Sequence, residues 1–171
     1  TLDKEELDRV FKSFKVLADK KREVTDRDLE ALMAEDRRIE EVQGFHVESV
    51  AIVTGTGLVP TATVVMTTPD GETRTEKMEG NGPVDAVCNA IDRVIGCECE
   101  LVDFKVQAVT GGMDSIGSVT IRIENAGKVY TGRGADTDII VASGKAYLSA
   151  VNRMLAADEE SSIPAVGTTP D

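Results

Sequence analysis

Ala51-Ile52-Val53-Thr54-Gly55 and Gln107-Ala108-Val109-Thr110-Gly111 open two copies of one repeated unit, and this duplication decides the fold. Further along the copies, the turn glycine Gly71 corresponds to Gly127, and each copy closes on an apolar helical pattern. Repeats that stack into solenoids need at least three copies to close a core. Two copies therefore predict a domain with pseudo-twofold symmetry, which favours a binding or regulatory function over a catalytic one.

Both copies predict three strands followed by a helix, because short apolar runs precede one longer run with helical spacing. The fold class is therefore α+β: two βββα units related by pseudo-twofold symmetry, making one sheet with helices on one face. The predicted elements of the first unit are strands His46–Val53, Ala62–Met66 and Glu72–Met78 and helix Pro83–Ile95, ended by Gly96. Those of the second unit are strands Leu101–Thr110, Ser118–Glu124 and Lys128–Gly132 and helix Thr137–Ala157.

Two further helices are predicted ahead of the repeat, between residues 2 and 34. Both begin with the spacing of a capping box, at Asp3 with Glu6 and at Thr25 with Asp28. Because the chain runs from its first residue straight into a helix, we expect it to be a piece of a longer protein. The predicted domain limits are 1–44 for a helical linker subdomain, 45–157 for the two-unit domain (unit one 45–96, unit two 101–157) and 158–171 for a polar, disordered tail.

Composition excludes several classes of partner. The formal net charge of −12 repels phosphate backbones, so nucleic acid is not an expected partner. No apolar run approaches the ~20 residues of a membrane span, and no signal peptide is visible. The odd count of three cysteines argues against a secreted disulfide framework, so we expect a cytoplasmic protein. Cys97 and Cys99 suggest a metal site, but His46 is distant in sequence and no fourth ligand is evident, so we interpret them as ordinary reduced thiols.

Catalytic patterns are weak, whereas glycine-rich turns offer candidate anion sites. The only histidine, His46, lies on a predicted strand without an assigned nucleophile. The loop from Thr110 to Gly117 is rich in glycine and could let a small ligand approach the backbone. A glycine-rich turn before a helix presents free N–H groups and a positive helix end to a carboxylate or phosphate. Such helix N-terminal anion sites are predicted at Gly80, Asn81 and Gly82 and, before the second helix, at Gly132 and Gly134.

Four stretches carry a resemblance to a known family. EGNGPVDAVCNAI (79–91), ELVDFKVQAVTGGMDSIG (100–117) and GRGADTDIIVASGKAYLSAVNR (132–153) look like the C-terminal regulatory domain of 2-isopropylmalate synthase. FKVLADKKREVTDRDLEAL (14–32) resembles the helical subdomain that links that domain to the catalytic barrel. The resemblance covers about residues 2–156 in the family's order.

This resemblance implies a homodimeric domain that binds L-leucine and transmits the signal to the catalytic barrel of the same parent chain. The family's enzyme condenses acetyl-CoA with 3-methyl-2-oxobutanoate, the first committed step of leucine synthesis, and uses a divalent metal in the barrel. The metal-binding histidine motif is absent from these 171 residues. We therefore expect this chain alone to hold no cofactor and to be catalytically inactive.

The family's leucine pocket lies at the dimer interface and carries over to this sequence by position. Helix-terminal N–H groups would hold the ligand carboxylate and Asp85 its ammonium, while Leu101, Phe104 and Ile139 would surround the isobutyl group. Some relatives have tyrosine at the position of Phe104, so a hydroxyl hydrogen bond is not expected there. The implied ligand-binding residues are Val84, Asp85, Leu101, Phe104, Ala108, Ser115, Gly117, Thr137 and Ile139.

Three alternatives remain at the level of sequence. The regulatory domain of a citramalate synthase shares the architecture but senses isoleucine, which differs from leucine by the position of one methyl group, worth only ~1–3 kcal/mol. Homocitrate synthase relatives are a more distant alternative. A stand-alone amino-acid-binding dimerisation module, with no enzyme attached, belongs to a different class of protein.

Overall fold

The computed structural model describes residues 4–20, 24–26, 28–30, 33, 44–109, 111–112 and 115–162. The first predicted linker helix is present as α1 (Lys4–Lys20). The second begins with the predicted capping box, in which the Thr25 N–H donates to Asp28 Oδ2 (2.8 Å) and the Asp28 N–H donates to Thr25 Oγ1 (3.4 Å). Residues 28–30 are helical. The Asp3–Glu6 box and most of the remaining linker lie outside the described residues.

Unit one forms three antiparallel strands and a helix, with the second strand in the centre of its sheet. Pro83 stands in the first turn of the helix, where its missing N–H costs no hydrogen bond. Gly96 ends the helix in the left-handed region (φ 79°), which glycine adopts without a steric penalty. The elements are β1 (His46–Val53), β2 (Thr61–Thr67), β3 (Thr73–Glu79) and α2 (Pro83–Ile95).

Unit two repeats the order, with two differences from the prediction. Its third strand continues to Asp136, through the segment expected to be a turn. Its helix continues to Ser162, so the first residues of the predicted disordered tail are helical, and 163–171 lie outside the described residues. The α+β class with two βββα units is confirmed. The elements are β4 (Glu100–Ala108), β5 (Gly117–Asn125), β6 (Lys128–Asp136) and α3 (Ile139–Ser162).

The two units contribute separate three-stranded sheets, in the orders β1-β2-β3 and β4-β5-β6, rather than the single sheet that was predicted. The units are joined instead through contacts between their helices and between α3 and β1, and Gly144 of α3 lies at the contact with α2. A Cβ atom added there would lie 3.0 Å from Cγ1 of Val87 on α2. A side chain at this position would crowd Val87, so glycine suits the close contact between the two helices.

One aliphatic core lies between the sheets and the helices. Its centre is formed by alternate residues of the two central strands, which point to the helix side of each sheet. Among the described residues, no helix is long and apolar enough to cross a membrane. The fully buried residues of the two central strands are Ala62, Val64 and Met66 on β2 and Val119, Ile121 and Ile123 on β5.

Candidate ligand-binding site

Five of the nine predicted ligand residues lie together at one end of the second sheet. Ala108 at the end of β4 pairs with Gly117 at the start of β5, and Gly117 pairs with Asp136 at the end of β6. The Val109 N–H donates to the Ile116 carbonyl (2.9 Å), which closes the hairpin and brings Ser115 to the same end. Thr137 and Ile139 follow Asp136 directly. A Cβ atom at Gly117 would lie 3.1 Å from Cγ1 of Ile139, so the glycine leaves room for that side chain.

Leu101 and Phe104 lie further along β4 and face the helix side of the sheet. Their strand partners are Ile123 and Ile121, and directly paired residues of antiparallel strands point to the same face. A bulge between Leu101 and Asp103 places both apolar side chains on this face. Phe104 is nevertheless 38% exposed and Leu101 46% exposed, because β4 lies at the edge of its sheet.

Among the described elements, none covers the apolar face of β4 in the way that α3 covers the equivalent face of β1. Val50 and Ile52 of β1 pack against the core, and α3 reaches across from unit two to contact this strand. On β4 the corresponding side chains are Leu101, Phe104 and Val106, and in the described part of the chain no helix covers them. We call these three residues the β4 stripe. Within the described residues, pseudo-twofold symmetry is therefore broken at this face, where the apolar side chains of β4 have no covering helix.

Val84 and Asp85 belong to unit one and lie at the start of α2. The Asp85 carboxylate accepts the Asn81 N–H (2.8 Å), and within the described ranges no hydrogen bond or ion pair joins Asp85 to the cluster at the end of the second sheet. The predicted ligand residues of a single protomer are thus divided between an α2 group and a unit-two group. Whether they form one pocket stays a prediction.

The start of α2 retains the features of an anion site. Gly82 is extended (φ −153°) and makes no side-chain cap, and helical N–H groups of the first turn have no partner within their own helix. A Cβ atom at Gly82 would meet nothing within 4 Å, so the turn is open. At Gly80, by contrast, a Cβ atom would collide with the Ala86 backbone nitrogen. Gly80 therefore lets the chain approach the helix, while Gly82 leaves the helix end accessible.

The predicted anion site at Gly132 and Gly134 is wrong. Both glycines lie within β6 and not at a helix start, and a glycine pair in a sequence fits a strand as well as a turn. A Cβ atom at Gly132 would collide with the Ala146 carbonyl oxygen, and one at Gly134 with the Ala142 carbonyl oxygen. Their function is to let α3 pack directly on the backbone of β6.

The start of α3 is already occupied by a carboxylate of the chain. Asp138 Oδ1 accepts the N–H groups of Ile140 (2.8 Å) and Val141 (3.4 Å), which is the geometry of a helix N-cap. The sequence signal was present, since aspartate is a preferred N-cap residue, but the helix was predicted to begin at Thr137. An anionic ligand would have to displace Asp138 to reach these N–H groups.

Asp136 is a partly buried carboxylate at this end of the sheet that sequence reasoning missed. It accepts the Asp138 N–H (3.0 Å) and forms an ion pair with Lys145 Nζ (3.3 Å). Burial favours the neutral acid, but the Asp138 N–H and the ammonium groups of Lys145 and Lys20 outweigh it, so the pKa of Asp136 is lowered. The carboxylate is therefore ionised at neutral pH and fixes the turn that carries Thr137 and Ile139.

Comparison with known proteins shows the family. The family model described as "LeuA allosteric (dimerisation) domain" matches residues 23–155. This chain belongs to that family. A 2-isopropylmalate synthase of Trichodesmium erythraeum is 52% identical over 156 residues, covering 91% of this chain and 28% of the relative. Those of Microcystis aeruginosa and Synechococcus sp. strain CC9605 are 49% and 45% identical, covering 90% and 95% of this chain and 28% and 30% of the relatives.

The chain thus spans less than a third of the length of the curated relatives it matches. The resemblance inferred from the sequence is confirmed, because the family match covers both βββα units up to residue 155 of α3. The matched family range begins within the helical linker and ends in α3.

Proposed function

We propose that this chain is the regulatory domain of a 2-isopropylmalate synthase, that it forms a homodimer, and that it binds L-leucine for feedback inhibition. In this proposal, catalysis takes place in the remaining part of the enzyme. The whole enzyme is a cytoplasmic acyltransferase that condenses acetyl-CoA with 3-methyl-2-oxobutanoate and uses a divalent metal. The family membership and the names of the relatives support the assignment to the regulatory and dimerisation domain of a 2-isopropylmalate synthase.

We infer the homodimer from the exposed apolar side chains of the β4 stripe. Three half-exposed apolar side chains continue the buried face of β5 and have no covering helix in the part of the chain described. Removing apolar surface from water contributes roughly 25 cal/mol per Å², so a partner that covers the stripe gains free energy. In the proposed dimer, a second copy brings a second α2, with its Val84 and Asp85, to the cluster at the end of the second sheet.

The chemistry at this face suits a branched zwitterion. The β4 stripe and Ile139 offer an apolar wall for the isobutyl group, and the open N-terminus of α2 offers N–H groups for the carboxylate. Asp85 offers a carboxylate for the ammonium. Because Asp138 already caps α3, the ligand carboxylate is assigned to α2 alone.

Ligand-dependent thermal melts and calorimetry with leucine, isoleucine and valine test this proposal. Leucine at a hundredfold excess over its dissociation constant should stabilise the domain by ~2.7 kcal/mol. Tighter binding of isoleucine would instead favour the citramalate synthase type. No binding by any of the three would overturn the effector proposal and leave a dimerisation role.

A matched pair of variants tests the ammonium assignment. Asp85→Asn removes one charge from the α2 start and should weaken leucine binding by at least tenfold, whereas Asp70→Asn in the exposed β2–β3 turn should leave it unchanged. Equal affinities of the two variants would remove Asp85 from the site.

A further inference from the structure

Three donor side chains outside the proposed leucine site meet where α2 ends. One ligand atom each from Asp92, Cys97 and Cys99 lies within 4.8 Å of the others. The helix end creates this arrangement, because Gly96 turns the chain back on itself. Both the Gly96 N–H (2.7 Å) and the Cys97 N–H (3.3 Å) donate to the Asp92 carbonyl, which folds the cysteines over the last helical turn.

Side chains of helix α3, in the second unit, contact this cluster. The Tyr147 hydroxyl of α3 donates to Asp92 Oδ1 (2.8 Å), and Cys99 Sγ lies 3.6 Å from Sδ of Met154, also on α3. Tyr147 is only 1% exposed, so its hydroxyl is held in a fixed position. Carboxylates that bind metals are commonly oriented by such a hydrogen bond, which fixes one oxygen and leaves acceptor capacity for the ion.

The cluster also opens to solvent. It lines a surface cavity of about 670 Å³ together with Arg93 and Glu98. Cys97 and Cys99 are both partly exposed. An ion can therefore reach the donor atoms, and a water molecule can complete its coordination.

We propose that Asp92, Cys97 and Cys99 form a binding site for one Zn²⁺ ion, with a water molecule as the fourth ligand. Thiolates select zinc over magnesium and calcium, and zinc sites with three protein ligands keep their fourth position for water. Zinc–ligand bonds of about 2.0–2.3 Å place tetrahedral ligands roughly 3.5 Å apart, so the three donors need only a small contraction. Binding replaces one proton on each thiol and releases both to solvent.

The sequence pattern shows only the Cys-x-Cys pair as a metal signal and no further ligand, which is why it favoured ordinary reduced thiols. Asp92 lies in the last turns of α2, five residues before Cys97, and nothing in its spacing marks it as a ligand. Only the left-handed turn at Gly96 brings the carboxylate to the thiols.

Titration of the reduced, metal-free 171-residue chain with Co²⁺ tests the proposal. One equivalent of Co²⁺ should produce thiolate-to-cobalt charge-transfer absorption and tetrahedral d–d bands. Added Zn²⁺ should displace the bound Co²⁺ and remove these bands. Absence of a charge-transfer band at one equivalent would overturn the proposal.

Variants identify the ligands. Cys97→Ser, Cys99→Ser and Asp92→Asn should each weaken Co²⁺ binding by at least tenfold, and Tyr147→Phe by about 10–100-fold. Cys88→Ala, which removes the buried third cysteine, should bind one equivalent with the parental spectrum and serves as control. Circular dichroism before metal addition shows that each variant is folded. Parental affinity in folded Cys97→Ser and Cys99→Ser would assign the cobalt to other groups and refute the site.

Discussion

Lys20 Nζ in the last turn of α1 lies 3.8 Å from Oδ1 of Asp136 at the end of β6. The same carboxylate accepts the Asp138 N–H and binds Lys145, so one partly buried group joins the linker helix α1, strand β6 and helix α3. Lys20 is half exposed, and a pair of this kind contributes little to stability. The ion pair matters for its location, because Thr137 and Ile139, two of the predicted leucine-binding residues, follow Asp136 directly in the chain.

The lowered pKa of Asp136 predicts a pH-dependent contribution to stability. A carboxyl group whose pKa is lower in the folded state stabilises the fold fully above its unfolded value of about 3.9 and loses this contribution as the pH falls through the folded pKa. We expect Asp136→Asn to lower the free energy of unfolding at pH 7, and the difference from the parent protein to shrink below about pH 4. Urea unfolding between pH 3 and pH 7 measures it, with Asp70→Asn as control. A pH-independent difference would contradict the assigned ionisation.

Gly132→Ala should destabilise the domain strongly. The added methyl group would meet the Ala146 carbonyl and Ala150 backbone nitrogen, neither of which can move without displacing α3. Overpacking typically costs 1–3 kcal/mol, and we expect about 3 kcal/mol or more here because the contact is with backbone. Gly111→Ala is the matched control, since a Cβ atom at Gly111 meets nothing within 4 Å. Similar unfolding midpoints for the two variants would show that the glycine is not required for helix packing.

Asp138→Ala should remove the N-cap of α3. Loss of the side-chain oxygen leaves the Ile140 and Val141 N–H groups without their partner, at a cost of about 1 kcal/mol. Asp138→Asn keeps an acceptor oxygen and should retain most of the stability. Denaturant unfolding of the three proteins compares them directly. If the asparagine variant were as unstable as the alanine variant, the negative charge rather than the cap would be responsible.

Phe104→Glu should dissociate the proposed homodimer. A glutamate in the middle of the β4 stripe would place a charge in an apolar contact, where its desolvation is not compensated. Gln107→Glu introduces the same side chain on the opposite face of β4, where Gln107 pairs with Ser118, and should leave the dimer intact. Light scattering coupled to size-exclusion chromatography reports the mass of each. A dimeric Phe104→Glu protein would place the interface elsewhere.

Local sequence patterns predicted the elements well where they had unambiguous start and stop residues. The limits of β1 match the prediction, and those of α2 match it because Pro83 and Gly96 mark the two ends of the helix. The end of β6 was wrong, since Gly132-Arg133-Gly134 reads equally as a turn and as a strand under a closely packed helix. Local patterns do not encode contacts between distant segments. Such contacts determine the split into two sheets, the exposure of the β4 stripe in the described part of the chain, and the position of Asp92 beside the cysteines.

The exposed edge of β4 has a consequence for the protein in solution. Among the described strands, β4 pairs only with β5, and an edge strand with apolar side chains is a template on which another chain can add a strand. Conditions that separate protomers, such as high dilution or mild denaturant, should therefore promote irreversible aggregation. The net charge of −12 opposes this by mutual repulsion, a protection that high salt would weaken.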